Sequence, residues 1–112
     1  MKTYIKTVSE PWFSYIKEGL KKVEGRLNKG NFAEMEIGDL IIFKNNGNQC
    51  KIKITKINHF TSFKEYLMKK KLSRCLPGIN SIDEGVSVYH KFYSIADVKK
   101  YGILAINIKL IE

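Results

Sequence analysis

At 112 residues the chain can bury one hydrophobic core but is too short to divide into two, so residues 1–112 are expected to form a single domain. Its hydrophobic fraction of 44% excludes a disordered chain, and no apolar run nears the about 18 residues that a membrane span requires. The formal net charge of +9 is concentrated between residues 40 and 75, where Lys44, Lys51, Lys53, Lys56, Lys64, Lys69, Lys70, Lys71 and Arg74 stand against Glu65 alone. Such a field draws polyanions, which makes nucleic acid the first partner to consider and an anionic membrane surface the second.

Lys2 to Val8 reads as a short strand with no apolar h-region of a secretory signal, and a cytoplasmic location is expected. Ser9-Glu10-Pro11 opens a helix, with Ser9 or Glu10 as its cap and Pro11 in the first turn; Trp12, Ile16 and Leu20 follow at helical spacing up to a stop at Gly19. Lys22 to Leu27 can pair as a strand, and Asn28 to Asn31 read as a loop. Leu40 to Lys44 is strand-like after a Gly38-Asp39 turn. The Asn46-Gly47 pair then favours a tight hairpin, beyond which Cys50, Ile52 and Ile54 alternate with lysines and give the hairpin one wet, basic face. On that face Lys44, Lys51, Lys53 and Lys56 are the expected contacts to a nucleic-acid backbone.

Ser62-x-x-Glu65 and Ser81-x-x-Glu84 are capping boxes that start two helices, and Leu76-Pro77-Gly78 turns between them. Lys69-Lys70-Lys71 suits the negative pole at the end of the first of these helices, an explanation independent of RNA. Ser94-x-x-Asp97 can open one more short turn. After Gly102, Leu104, Ile106, Ile108 and Leu110 alternate with Ala105, Asn107 and Lys109 in a terminal strand. The order β-α-β-β-β-α-α-β argues for an α+β, barrel-like mixed sheet with helices packed around it.

Neither Cys50 nor Cys75 has metal-ligand spacing, and no metal or cofactor is expected. His59 and His90 read as surface or satisfied neighbours before catalytic bases. Trp12, Phe13, Tyr15, Tyr66, Tyr89 and Tyr93 include candidates for base stacking, although helical spacing makes most of them core; Trp12, next to the polar segment described below, is the one retained.

That segment is Lys21-Lys22-Val23-Glu24-Gly25-Arg26. Extended, it sets Lys22, Glu24 and Arg26 on one face and Lys21 with Gly25 on the other, unless Lys21 swings across at the bend. The set offers cations for phosphate or carbonyl oxygens and one carboxylate that orients a cation or accepts a base N–H. On pattern alone it reads as an exposed ladder of ion pairs.

The stretch Pro11-Trp12…Ile16-x-x-Gly19-x-Lys21-x-x-Glu24-x-Arg26, followed by Ile37-Gly38-Asp39-x-Ile41-x-Phe43, resembles the signature of the ASCH family, which is related to the PUA RNA-binding domains. Leu76-Pro77-Gly78 and Gly85-Val86-x-x-Tyr89-x-x-Phe92-Tyr93 resemble small stand-alone members. The resemblance implies a PUA-like pseudo-barrel with a cleft lined by Lys21, Glu24 and Arg26, joined here by Trp12, and an RNA or nucleotide-like ligand. Two alternatives stand beside this reading, the first implied by the same resemblance. Some small members are hydrolases, acting on N4-acylated cytidines or as ribonucleases; in such an enzyme Lys21 would be activated by desolvation or Glu24 would be the general base. The amidohydrolase group carries a Thr nucleophile where this chain has Glu24, and a carboxylate does not replace that hydroxyl in forming an acyl ester. The remaining alternative is a protein-interaction module whose charge serves solubility.

Overall fold

The computed structural model describes residues 1–112. Five strands form one sheet in the order β1-β3-β4-β5-β2, with β1 at Thr3–Thr7, β2 at Val23–Leu27, β3 at Leu40–Asn45, β4 at Asn48–Phe60 and β5 at Ile103–Leu110. β1 runs parallel to β3, and the other three pairings are antiparallel. The sheet curls into a half-barrel, an α+β architecture of the PUA-like kind expected from the sequence. Its free edges, β1 and β2, approach each other where Arg26 Nη2 donates to Thr7 O at 3.3 Å.

Local chemistry explains most of the elements. Asn46 and Gly47 have φ of 46° and 84°, the left-handed pair that a two-residue hairpin needs, and they join β3 to β4. Ser62, Ser81 and Ser94 each accept the backbone N–H three residues on, at 3.1 Å, and so start α3 (Phe63–Lys70), α5 (Ile82–His90) and α6 (Ile95–Tyr101). At α1 (Trp12–Lys17) it is Glu10 that caps, its carboxylate accepting Ser14 N–H at 2.9 Å and Ser14 Oγ–H at 2.7 Å, while the Ser9 side chain makes no cap. The Gly38-Asp39 turn is held by Asp39, whose carboxylate accepts the amides of Lys2 at 2.9 Å and Glu36 at 2.8 Å and thereby ties the start of β1 to β3.

Two short helices differ from the sequence reading. α2 (Gly30–Glu34) occupies the expected Gly/Asn loop, where Phe32 packs on the barrel interior beneath the charged ends of Lys6 and Arg26, 4.7 and 4.8 Å from its ring centre. α4 (Leu72–Cys75) follows α3 after Lys71 takes φ of 74°. Tertiary contact outweighs weak local signals in such short segments.

β5 carries two cores. Leu104, Ile106 and Ile108 point into the barrel with Phe13, Ile16, Phe43 and Ile52. Ile103 and Ala105 face the other way, against Phe63, Tyr66 and Leu67 of α3 and Tyr89 of α5. Ala105, on the opposite side of the strand from Leu104 and Ile106, is therefore fully buried as well. Phe63 stacks on Tyr89 with centroids 4.4 Å apart, and the hydroxyls of Tyr66 and Tyr89 bond at 2.9 Å, which fixes α5 against α3.

Candidate functional site

β2 pairs with β5 so that Glu24 lies opposite Ile106 and Arg26 opposite Leu104. Directly opposed residues share a sheet face, so both charged side chains point toward the barrel interior at its open seam. Lys21, just before the strand, swings to the same side, as the bend permits. Its ammonium donates to Val23 O at 2.9 Å and to Cys75 O, and lies 3.5 Å from Glu24 Oε1. Arg26 Nη2 meets Glu24 Oε2 at 3.1 Å. Lys22, placed by periodicity on the same face as Glu24, is exposed instead. The reading of an exposed ladder fails here, because Lys21 and Glu24 are only 3% and 4% exposed.

Gly25 has a role that its sequence gives no sign of. A Cβ at this position would lie 2.8 Å from the Tyr66 ring, so the glycine lets α3 press directly on the β2 backbone and hold Glu24 and Arg26 in place. Arg26 is gripped on its other side by the Phe32 ring.

Burial pushes the pKa of Lys21 down, opposed by the charge of Glu24. Burial pushes Glu24 up, but Arg26 and Lys21 outweigh it and hold the carboxylate below its ordinary value, so it is ionised at neutral pH. The phenols of Tyr89 and, less strongly, Tyr93 are raised by burial and remain protonated donors.

The triad forms the floor of a cavity of about 480 Å³, within the range of small-molecule sites. One wall is Trp12 of α1, whose ring centre is 5.8 Å from Lys21 Nζ. The facing wall is Val88, Tyr89, Phe92 and Tyr93, from α5 and the turn after it, and the rim is Thr7, Val8 and Ser9 with Lys44, Asn45 and Asn46 of the hairpin. The four expected ligand contacts Trp12, Lys21, Glu24 and Arg26 thus come together.

The four expected backbone contacts do not. Lys44 sits on the cavity rim, Lys51 is paired with Glu112 at 2.7 Å, Lys53 faces Lys109 across the sheet, and Lys56 lies past a bulge in β4, near Lys70. His90 is a satisfied neighbour, its Nδ1 2.8 Å from Tyr93 O. Phe92 entered the sequence reading only as part of the resemblance, with no role assigned to it, and it is 59% exposed at the cavity wall.

The model of the ASCH domain matches residues 7–112. The chain belongs to the ASCH domain family. It is similar over 99% of its length to the whole of a crystal structure described as hypothetical protein PH0355, at 42% identity and a TM-score of 0.91. It is 37% identical to protein PF0455 from Pyrococcus furiosus, determined by NMR, with 98% of each chain covered and a TM-score of 0.83. The ASCH domain from Lactobacillus crispatus shares the fold at 12% identity and a TM-score of 0.66, covering 96% of this chain and 79% of that one. No curated protein matches the chain. No helix of this ASCH domain is long and apolar enough to cross a membrane.

Proposed function

We propose that residues 1–112 act as one ASCH domain that binds RNA or a nucleotide-like ligand, with the nucleobase in the cavity between β2, α1 and α5. The observation that carries this reading is an ionised carboxylate fixed between two cations on the floor of an aromatic-walled cavity. Each oxygen of Glu24 meets one cation and keeps lone-pair capacity for a base N–H. Arg26 spends its Nη2 on Glu24 and Thr7, which leaves other guanidinium donors for a carbonyl or phosphate oxygen. Trp12 and Phe92 offer faces for stacking, and Lys44 on the rim suits a phosphate. The family's general association with RNA agrees with this assignment.

The geometry favours binding over hydrolysis. Lys21 donates to Val23 O and Cys75 O and pairs with Glu24 at 3.5 Å, and as the ammonium of that pair its nitrogen carries no lone pair for attack. Glu24, stabilised as an anion by two cations, is a weak base. Lys21 positions the carboxylate.

Calorimetric titration with the common ribonucleoside monophosphates tests the reading. Trp12→Ala is expected to weaken binding by about 1–3 kcal/mol through lost stacking, and Glu24→Gln to change which base is preferred. Absence of binding to every monophosphate, or affinities unchanged in both variants, would overturn it. Efficient turnover of N4-acetylcytidine by the wild-type chain, abolished in Lys21→Ala, would put the hydrolase first.

A further inference from the structure

The cations outside the cavity are not scattered. Lys53 and Lys109 are direct partners across β4 and β5, an arrangement in which like charges repel. Past the bulge Lys56 is paired with Asn107. Partial burial, and then the nearness of Lys56 and Arg74, lowers the pKa of Lys70, which also donates to Asn58 Oδ1. The main chain closes the circuit, for Lys22 N–H donates to Arg74 O at 2.9 Å and Lys22 O accepts Ile108 N–H at 2.9 Å, which sets Lys22 between Arg74 and Lys109.

Lys22, Lys53, Lys56, Lys70, Arg74 and Lys109 therefore form a ring. The three ion pairs of the molecule are Lys21–Glu24, Arg26–Glu24 and Lys51–Glu112, so no carboxylate serves the ring. Asn107 lies within it, between its partners Val23 and Lys56, and its side-chain oxygen is buried without a hydrogen bond. Unmatched like charges gathered in one place oppose folding, and a bound polyanion relieves that opposition.

The ring and the cavity share a wall. Lys21 and Leu76 line the cavity while Lys22 and Arg74 belong to the ring, and the bond from Lys21 Nζ to Cys75 O ties the two segments together. We infer that the ring is a second site, seating successive phosphates of a single-stranded RNA whose neighbouring nucleoside occupies the cavity. The strand is single because a base that enters the cavity must be unpaired and unstacked. Contiguity with the cavity favours RNA over an acidic protein surface. The inference rests on the cavity reading above; it keeps Lys53 and Lys56 among the backbone contacts and replaces Lys44 and Lys51 by Lys22, Lys109 and the α3–α4 corner.

Fluorescence anisotropy with a labelled single-stranded RNA of about 12 nucleotides, across a salt series, tests it. The triple variant Lys22→Gln, Lys56→Gln, Lys109→Gln is expected to lose about tenfold in affinity near 0.15 M salt, and its log–log salt slope should fall by about 2, since each phosphate neutralised on a single strand contributes about 0.7. Monophosphate binding by the same variant should stay at the wild-type level. Lys51→Gln, whose charge Glu112 already meets, serves as the control and should move neither quantity. A wild-type salt slope in the triple variant overturns the ring and leaves the cavity reading standing. An equal loss in Lys51→Gln overturns it as well, since the effect is then general charge. Failure of the wild-type chain to bind any monophosphate falls on the cavity reading, and the ring is still judged by the salt slope. Phosphatidylserine vesicles that displace the RNA at equal phosphate concentration would replace RNA by a membrane as the partner and overturn the proposal.

Discussion

In the cavity, Lys21 and Arg26 are drawn out of water against one carboxylate, whereas in the ring Lys22, Lys53, Lys56, Lys70, Arg74 and Lys109 stand without any. Charges of the same kind therefore do opposite work. The buried set is matched within the fold, so removing a member damages the fold itself. The unmatched set contributes little to folding and is available to a partner. Stability measurements and binding measurements should separate the two regions.

The largest expected effect is that of Glu24→Ala. It leaves the buried ammonium of Lys21 and the guanidinium of Arg26 unpaired, and urea unfolding should show a loss of about 3–5 kcal/mol. A loss under about 1 kcal/mol would mean that water reaches the triad freely, and the comparison would collapse.

Gly25→Ala comes next. The new methyl group would meet the Tyr66 ring at 2.8 Å, and overpacking of that kind should destabilise by about 1–3 kcal/mol in thermal unfolding. Adding Tyr66→Phe, which removes the hydroxyl 2.9 Å from the same point, should recover part of the loss if this contact is its cause.

Acid sharpens the contrast by its sign. The pKa of Glu24 is lowered in the folded chain, so its stabilisation is complete above the unfolded carboxylate value of about 4.5 and is lost as pH falls below that, toward the folded pKa. Unfolding free energies measured between neutral pH and pH 3 should decline less steeply in Glu24→Gln than in the wild type. Equal slopes would mean that the carboxylate is not held by its cations.

The smallest effect belongs to the ring. Lys56→Gln and Lys109→Gln should change stability by no more than about 0.5 kcal/mol, and a slight gain is the expected sign because a repulsion is removed. A clear loss in either would show that the ring is structural after all.

Much of this fold was legible because its causes are local. The caps at Ser62, Ser81 and Ser94 satisfy amides three residues away, and Asn46-Gly47 sets its own backbone angles, so each can be read from a few neighbouring residues. The resemblance carried by Gly19, Lys21, Glu24, Arg26 and Gly38-Asp39 located the floor of the cavity, and with Trp12 the four side chains do converge. The place of Phe92 at the cavity wall was not legible, nor was the separation of Lys44 and Lys51 from Lys53 and Lys56, since all four lie on one alternating hairpin in the sequence.

The sequence by itself determined the α+β class, the hairpin, the capped helices and the excess of positive charge, because spacing and residue chemistry act over one or two turns of chain, while the candidate triad came from the family resemblance. Only the tertiary structure decided which charges are matched. Lys21 is fixed by a carbonyl 54 residues away at Cys75, Gly25 by a ring on α3, and Lys109 by its place opposite Lys53. Whether a cation is buried with a partner or left open to a ligand depends on which distant segments the sheet and helices bring beside it, and periodicity along the chain carries no information about that.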